Sequence, residues 1–225
     1  MNKYAGVLAA AGAYILWGVL PAYWKLLHAV PAYEILGHRM LWSFLLTLGL
    51  IVLLGRKDAF RRACGDRKNR ITFATTALLL AINWLLYIWA VNAGYIVEAS
   101  LGYFINPLIN VLFGMIFFRE KLRILQWAAI FFAALGVLYL TVYYGRFPWI
   151  ALVLGVTFAI YGLLHKKNPL GALDGLCLET AISFVPALVL LVGLEYFRGA
   201  AFGHIGLNGS LLLAGAGIIT TVPLL

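Results

Sequence analysis

Charge is scarce in this chain, and acid is scarcer than base. Only 11% of the residues are charged, and just eight are Asp or Glu. A soluble domain of this length averages about 25% charged and 45–50% apolar, whereas 64% of this chain is hydrophobic. One globule has too little interior to hide that much apolar surface, which excludes a soluble protein and leaves lipid as the solvent. Cysteine is nearly absent. Cys64 and Cys177 are isolated and neither sits in a CxxC, so no disulfide framework or metal signature is read. The four histidines, at 28, 38, 165 and 204, fall at or near expected helix ends, with no HExxH and no Ser/His/Asp set around them. The expectation is no enzyme, no cofactor and no metal. Alternating ten-residue strands are also missing; the apolar runs are long and unbroken, which argues against an outer-membrane barrel.

What remains is a polytopic helical membrane protein. Its apolar segments run from Tyr4 to about Trp24, Ile35 to Leu54, Ile71 to Asn92, Val97 to Phe118, Ile124 to Tyr144, Pro148 to Leu164, Asp174 to Phe197, and Ser210 to Leu225. The first is too long for a signal-peptide core and reads as a retained helix. Its Gly6, Ala9, Ala10, Ala13 and Trp17 share a face suited to close helix contact. Gly18 and Pro21 are expected to interrupt it, either as a kink or beside a site. The 55–70 stretch, GRKDAFRRACGDRKNR, carries seven Lys/Arg and reads as a cytoplasmic loop rather than a nucleic-acid patch. Thirteen of the 17 Lys and Arg fall on that side of the alternating segments, counting Lys3. This places the N-terminus in the cytoplasm, with anionic lipid headgroups as the partners of the excess charge. The fifth segment, apolar and aromatic throughout, faces lipid or a second copy of the chain in a homodimer.

The most informative stretch is Glu98–Asn110, EASLGYFINPLIN, inside the fourth segment. Tyr103, Asn106 and Asn110 share one helix face. Pro107 has no N–H and frees the carbonyl of Tyr103 at mid-membrane depth. Polar groups in hydrocarbon are costly unless they line a protein or water-filled interior, so this face is expected to border a cavity. In the third segment Asn83 and Tyr87 form an i, i+4 pair, and Asn83 and Asn106 fall at similar depth, roughly 12–18 Å inside. Two readings stand for the asparagines: a substrate site, or hydrogen bonds across a helix pair. Near the start of the second segment Arg39 lies about 7 Å below the interface. It either snorkels or pairs with Glu34 or Glu98, and the Arg39–Glu98 pair would gate or screen the mouth. No carboxylate falls at the midplane, so proton coupling is not read.

Two echoes cross the halves. Ala13–Leu20 (AYILWGVL) matches Phe158–Leu164 (FAIYGLL), and Glu34–Phe44 (EILGHRMLWSF) matches Asp174–Phe184 (DGLCLETAISF). A repeat of five helices, being odd, enters the membrane from opposite sides in its two copies, as in secondary transporters. The expected domains are residues 1–145, the first repeat, and 146–225, the second. Ten helices would complete the pair; about eight are present, so the second repeat is expected to be truncated.

The blocks GVLPAYWKLL, HRMLWS, NWLLYIWAVN, EASLGYFINPL and FAIYGLLHKK resemble the RarD branch of the EamA-type transporters, in the drug/metabolite transporter superfamily. His165 departs from the arginine expected before the lysine there. The resemblance implies a ten-helix carrier of the bacterial inner membrane built from inverted five-helix repeats. The expected function is alternating-access transport of a small metabolite or drug-like solute, with Trp17, Asn83, Tyr87, Tyr103, Asn106 and Asn110 lining the path. The competing expectation is a non-transporting scaffold or an inactive fragment. No nucleic-acid partner is expected.

Overall fold

The computed structural model describes residues 5–119 and 121–225. Lys3 and Tyr4, which enter the readings above, lie outside the described residues, as does the side chain of Ala10. Among the described residues the chain is helical, with no strand. Nine α-helices follow in order: α1 Ala5–Leu26, α2 Ala32–Leu53, α3 Lys57–Gly65, α4 Arg67–Asn92, α5 Ile96–Phe118, α6 Ile124–Tyr144, α7 Trp149–Lys167, α8 Ala172–Arg198 and α9 Gly206–Thr221. A 3₁₀ turn, Val222–Leu224, follows α9. Seven helices, α2 and α4–α9, are long and apolar enough to cross a membrane. α1 matches them in length, with 22 residues. The protein is an all-α, multi-pass membrane protein.

Local chemistry sets the helix ends. Pro31 and Pro148 stand at the N-caps of α2 and α7, where a missing N–H costs no helical hydrogen bond. Gly145 closes α6 with φ +62° and Gly199 closes α8 with φ +70°, a backbone that glycine adopts without a Cβ penalty.

Two details differ from the sequence reading. The first helix continues through Gly18 and Pro21 to Leu26 instead of breaking. The basic 55–70 stretch contains α3, packed against α8 and α2. Ala63 of α3 is buried and Phe60 half-buried, while Arg61 and Arg62 are exposed. α3 is an amphipathic helix, and its nine residues are too few for an apolar run to reveal it. The Asp66 carboxylate accepts from the Lys68 N–H at 2.8 Å and starts α4.

The chain divides into two compact units, Met1–Leu78 with Pro169–Leu225, and Leu79–Asn168. In the first unit α2 packs on α8 and α9. The two partners are antiparallel: Thr47 meets Thr180 at 3.1 Å and Phe44 meets Phe184, so numbers fall along α8 as they rise along α2. The acidic residue opening each helix is buried and tied to the chain leaving the other. Asp174 takes the Arg56 guanidinium at 2.6 Å, and Glu34 accepts the Ala201 N–H at 2.5 Å. Gly217 of α9 lies so close to α2 that an added Cβ would sit 2.5 Å from the Trp42 Cβ. Ser43 donates to the Gly217 carbonyl at 3.2 Å, and Tyr23 of α1 donates to the Leu212 carbonyl. Arg39 is only 4% exposed. Its side chain is enclosed within this unit and does not snorkel outward.

Of the small-residue face of α1, Gly6 and Ala9 are exposed and a Cβ at Gly6 would meet nothing within 4 Å, whereas Ala13 and Trp17 are half-buried.

Candidate functional site

In the second unit the core is Leu101, Ile105 and Ala151, flanked by Ile109, Val137, Leu140 and Leu152. α5 packs extensively on α7 and less on α6. Two glycines permit the close approach. A Cβ on Gly102 would lie 3.0 Å from the Leu154 Cβ and 3.3 Å from the Ala151 carbonyl oxygen, and one on Gly155 would lie 3.0 Å from Ile105. No described side chain of α6 is fully buried, and Ile124, Leu125, Phe131 and Phe132 are exposed along it.

The polar face of α5 meets α7 at this crossing. Asn106, only 6% exposed, donates through Nδ2 to the Gly155 carbonyl at 3.3 Å and accepts through Oδ1 from Asn110 Nδ2 at 2.7 Å. The two asparagines form an i, i+4 ladder that starts in the core and ends exposed at Asn110. Pro107 faces outward beside them, and α5 runs through it unbroken to Phe118.

Asn83 of α4 reaches the same stretch of α7. Its Nδ2 donates to the Leu154 carbonyl at 2.9 Å and to Thr157 Oγ1 at 2.8 Å, and the Thr157 hydroxyl in turn donates a hydrogen bond to the Val153 carbonyl at 2.6 Å. The two asparagines at similar depth therefore converge on adjacent α7 carbonyls. One turn along α4, Tyr87 stands edge-on between Trp84 at 5.8 Å and Tyr103 of α5 at 5.7 Å between centroids. Edge-to-face rings of this kind attract by about 0.5–1.5 kcal/mol beyond their buried area. Tyr87 and Trp84 are buried and Tyr103 is half-buried.

The structure thus brings together Asn83, Tyr87, Tyr103, Asn106 and Asn110. Trp17 and Arg39 belong to the other unit; Trp17 is half-buried and meets Tyr14 edge-on at 5.5 Å. Glu98, half-buried, lines a small pocket with Leu101, Thr141 and Arg146. Thr157 and the Leu154 and Gly155 carbonyls were not foreseen. The one signal for Thr157 is its hydroxyl in the otherwise apolar middle of the sixth segment. Beyond the site, Lys166 and Lys167 at the end of α7 lie over the rings of Phe118 and Phe117, at 4.2 and 4.5 Å, which clasps the last turns of α5 and α7. Among the described residues no group of His, Cys, Asp and Glu could hold a metal ion.

The arrangement offers neutral hydrogen-bonding groups and aromatic edges at a helix crossing, and no nucleophile–base pair.

Comparison with known proteins agrees in class. Residues 4–142 match the model of the EamA-like transporter family. The Protein RarD of Salmonella typhimurium is 44% identical over 220 residues, 98% of this chain and 75% of its own length. The uncharacterized transporter YojE of Bacillus subtilis is 40% identical, over 98% of this chain and 74% of its own. A Pseudomonas aeruginosa protein named chloramphenicol-sensitive protein RarD is 32% identical over 83% of this chain and 64% of its own. No solved structure matches. With more than half of its residues matching the family model, and relatives aligned along nearly all of it, this chain belongs to the EamA-like transporter family.

Proposed function

We propose that the chain acts as a secondary transporter, a permease moving a small, weakly charged metabolite or drug-like solute across the bacterial inner membrane. The N-terminus is cytoplasmic, and access alternates as repeats 1–145 and 146–225 rock about a central path. The observation that carries this reading is the Asn106–Asn110 ladder beside the Tyr87–Tyr103 pair. It is a neutral polar strip with aromatic edges, running from buried to exposed on an apolar helix. The name of the Pseudomonas relative points to the same ligand chemistry, an aromatic molecule with neutral polar groups. Glu98 and Arg39 supply the only charge in the assignment, at the mouth.

Asn110 tests it, because it is exposed and makes one side-chain hydrogen bond. Chloramphenicol accumulation is measured in cells expressing the chain, with Asn110→Ala and Tyr103→Phe as variants. The expected outcome is an altered accumulation rate with unchanged folding. Accumulation that differs from non-expressing cells yet responds to neither variant removes these residues from the path.

A second reading has an observation of its own. Asn83 and Asn106 both donate to α7 backbone carbonyls, as interhelical glue in a non-transporting scaffold or inactive fragment would. Such bonds contribute about 0.6 kcal/mol each. On this reading Asn106→Ala lowers stability and changes nothing else.

A further inference from the structure

His38 differs from the other three histidines. It is 6% exposed, and neither ring nitrogen has a hydrogen-bond partner. One turn further along the same face of α2, the buried indole N–H of Trp42 is also without a partner. Leaving such a group buried and unpaired is unfavourable, and here two neighbouring side chains bear that cost. A single ring covers both. Phe202, from the loop between α8 and α9, stacks on His38 with centroids 4.9 Å apart and planes at 25°, and lies 6.3 Å from Trp42 at 38°. Phe202 offers the two heterocycles a face to stack on and no hydrogen bond.

The loop that carries Phe202 is anchored beside the ring, not through it. Glu195 accepts the Ala200 N–H at 3.0 Å and Glu34 accepts the Ala201 N–H; Ser210 Oγ accepts the Gly203 N–H at 2.9 Å. Gly203, the next residue, has φ +83°, a conformation that lets the chain turn away directly after Phe202. The ring is 39% exposed, so it has an open side to rotate into while the anchored backbone stays in place.

We propose that the place held by the Phe202 ring, over His38 and Trp42, is a binding site for a planar, uncharged aromatic or heteroaromatic molecule with a hydrogen-bond donor and an acceptor at its edge, and that Phe202 fills it when no ligand is bound. A neutral imidazole offers one donor and one acceptor, and the Trp42 indole one donor. A ligand ring replacing Phe202 keeps the stacking and adds the missing hydrogen bonds. The ligand is uncharged because the groups it would satisfy, the imidazole nitrogens and the indole N–H, are neutral hydrogen-bonding groups. The site rests on the geometry of one unit and does not depend on the transport reading.

Equilibrium dialysis of the full 225-residue chain in detergent against 4-nitrobenzamide tests the site without any transport assay. Phe202→Ala removes the competing ring and is expected to bind the probe roughly tenfold more tightly than the unsubstituted chain. His38→Phe in the Phe202→Ala background keeps a ring but removes the nitrogens, and is expected to abolish that gain. Phe202→Leu, a smaller change to the loop, serves if Phe202→Ala does not fold. Binding no tighter after removal of Phe202, or a gain that survives His38→Phe, overturns the proposal.

Discussion

Phe44 and Phe184 meet ring to ring, with centroids 4.8 Å apart and planes at 46°. They stand at matching positions in the two echoed segments, EILGHRMLWSF and DGLCLETAISF, so residues that correspond in sequence touch in space. The neighbouring contacts keep the antiparallel register. Thr47 meets Thr180, and Gly37 lies against the Leu191 side chain, 3.0 Å from where a Cβ would stand.

The ring pair has a measurable coupling. In a double-mutant cycle of Phe44→Ala and Phe184→Ala, unfolding in detergent is expected to give an interaction energy of about 0.5–1.5 kcal/mol. Strict additivity would mean that the rings pack on other neighbours instead.

Glycine substitutions are expected to rank by what the new Cβ meets. At Gly217 it would press on the Trp42 Cβ at 2.5 Å and the Ser43 backbone nitrogen at 2.6 Å, neither of which can move alone. At Gly155 it would meet the flexible ends of Ile105 and Ile109 at 3.0 and 3.3 Å. Overpacking costs about 1–3 kcal/mol and sometimes more. Gly217→Ala is therefore expected at or above the top of that range and Gly155→Ala near the bottom. Thermal unfolding of the two variants in one detergent decides the order.

The Arg56–Asp174 pair joins a partly exposed guanidinium to a buried carboxylate, with side-chain exposures of 44% and 6%. The second carboxylate oxygen, Oδ1, has no hydrogen-bond partner. Arg56→Met leaves the buried charge without its cation and is expected to cost about 1 kcal/mol, the lower end of the range for such groups because solvent reaches the arginine. Asp174→Asn is expected to cost less, since it removes the charge along with the pair. Equal losses in the two variants would locate the energy elsewhere.

Cys64 offers a reading of sidedness. It lies on α3, outside the spans, and burial pushes its thiol above its ordinary value. The thiolate is the reactive form, so a membrane-impermeant maleimide is expected to label it slowly at neutral pH and faster as pH rises toward the raised value. Cys177 is buried and is expected to stay unlabelled. With the N-terminus cytoplasmic, labelling occurs in inverted vesicles and not in intact cells; the reverse pattern overturns the proposed orientation.

Much of the architecture was legible because hydrophobic length is a one-dimensional property. Runs such as Ile124–Tyr144 and Val97–Phe118 match α6 and α5 almost to the residue, since each contains every backbone hydrogen bond it needs in lipid. Positive charge between runs was equally easy to see. The short α3 was hidden because its signal is a face, not a run. The continuity of α1 through Pro21 was misjudged because proline marks a lost hydrogen bond but does not say whether the helix bends there.

The sequence by itself determined that this is a helical membrane protein of the transporter class, and which polar residues sit deep within its apolar segments. Only the tertiary structure decided what those residues do. Asn83 and Asn106 were known to need partners, but only the fold shows that both find them on α7, Asn106 where Gly102 and Gly155 let α5 and α7 approach. His38 read as an interfacial histidine like the others, until the loop from α8 laid Phe202 over it. The physical reason is the same in both cases. Transfer from water to lipid is a property of each segment alone, whereas a hydrogen bond or a ring stack depends on a second element that the local sequence does not specify.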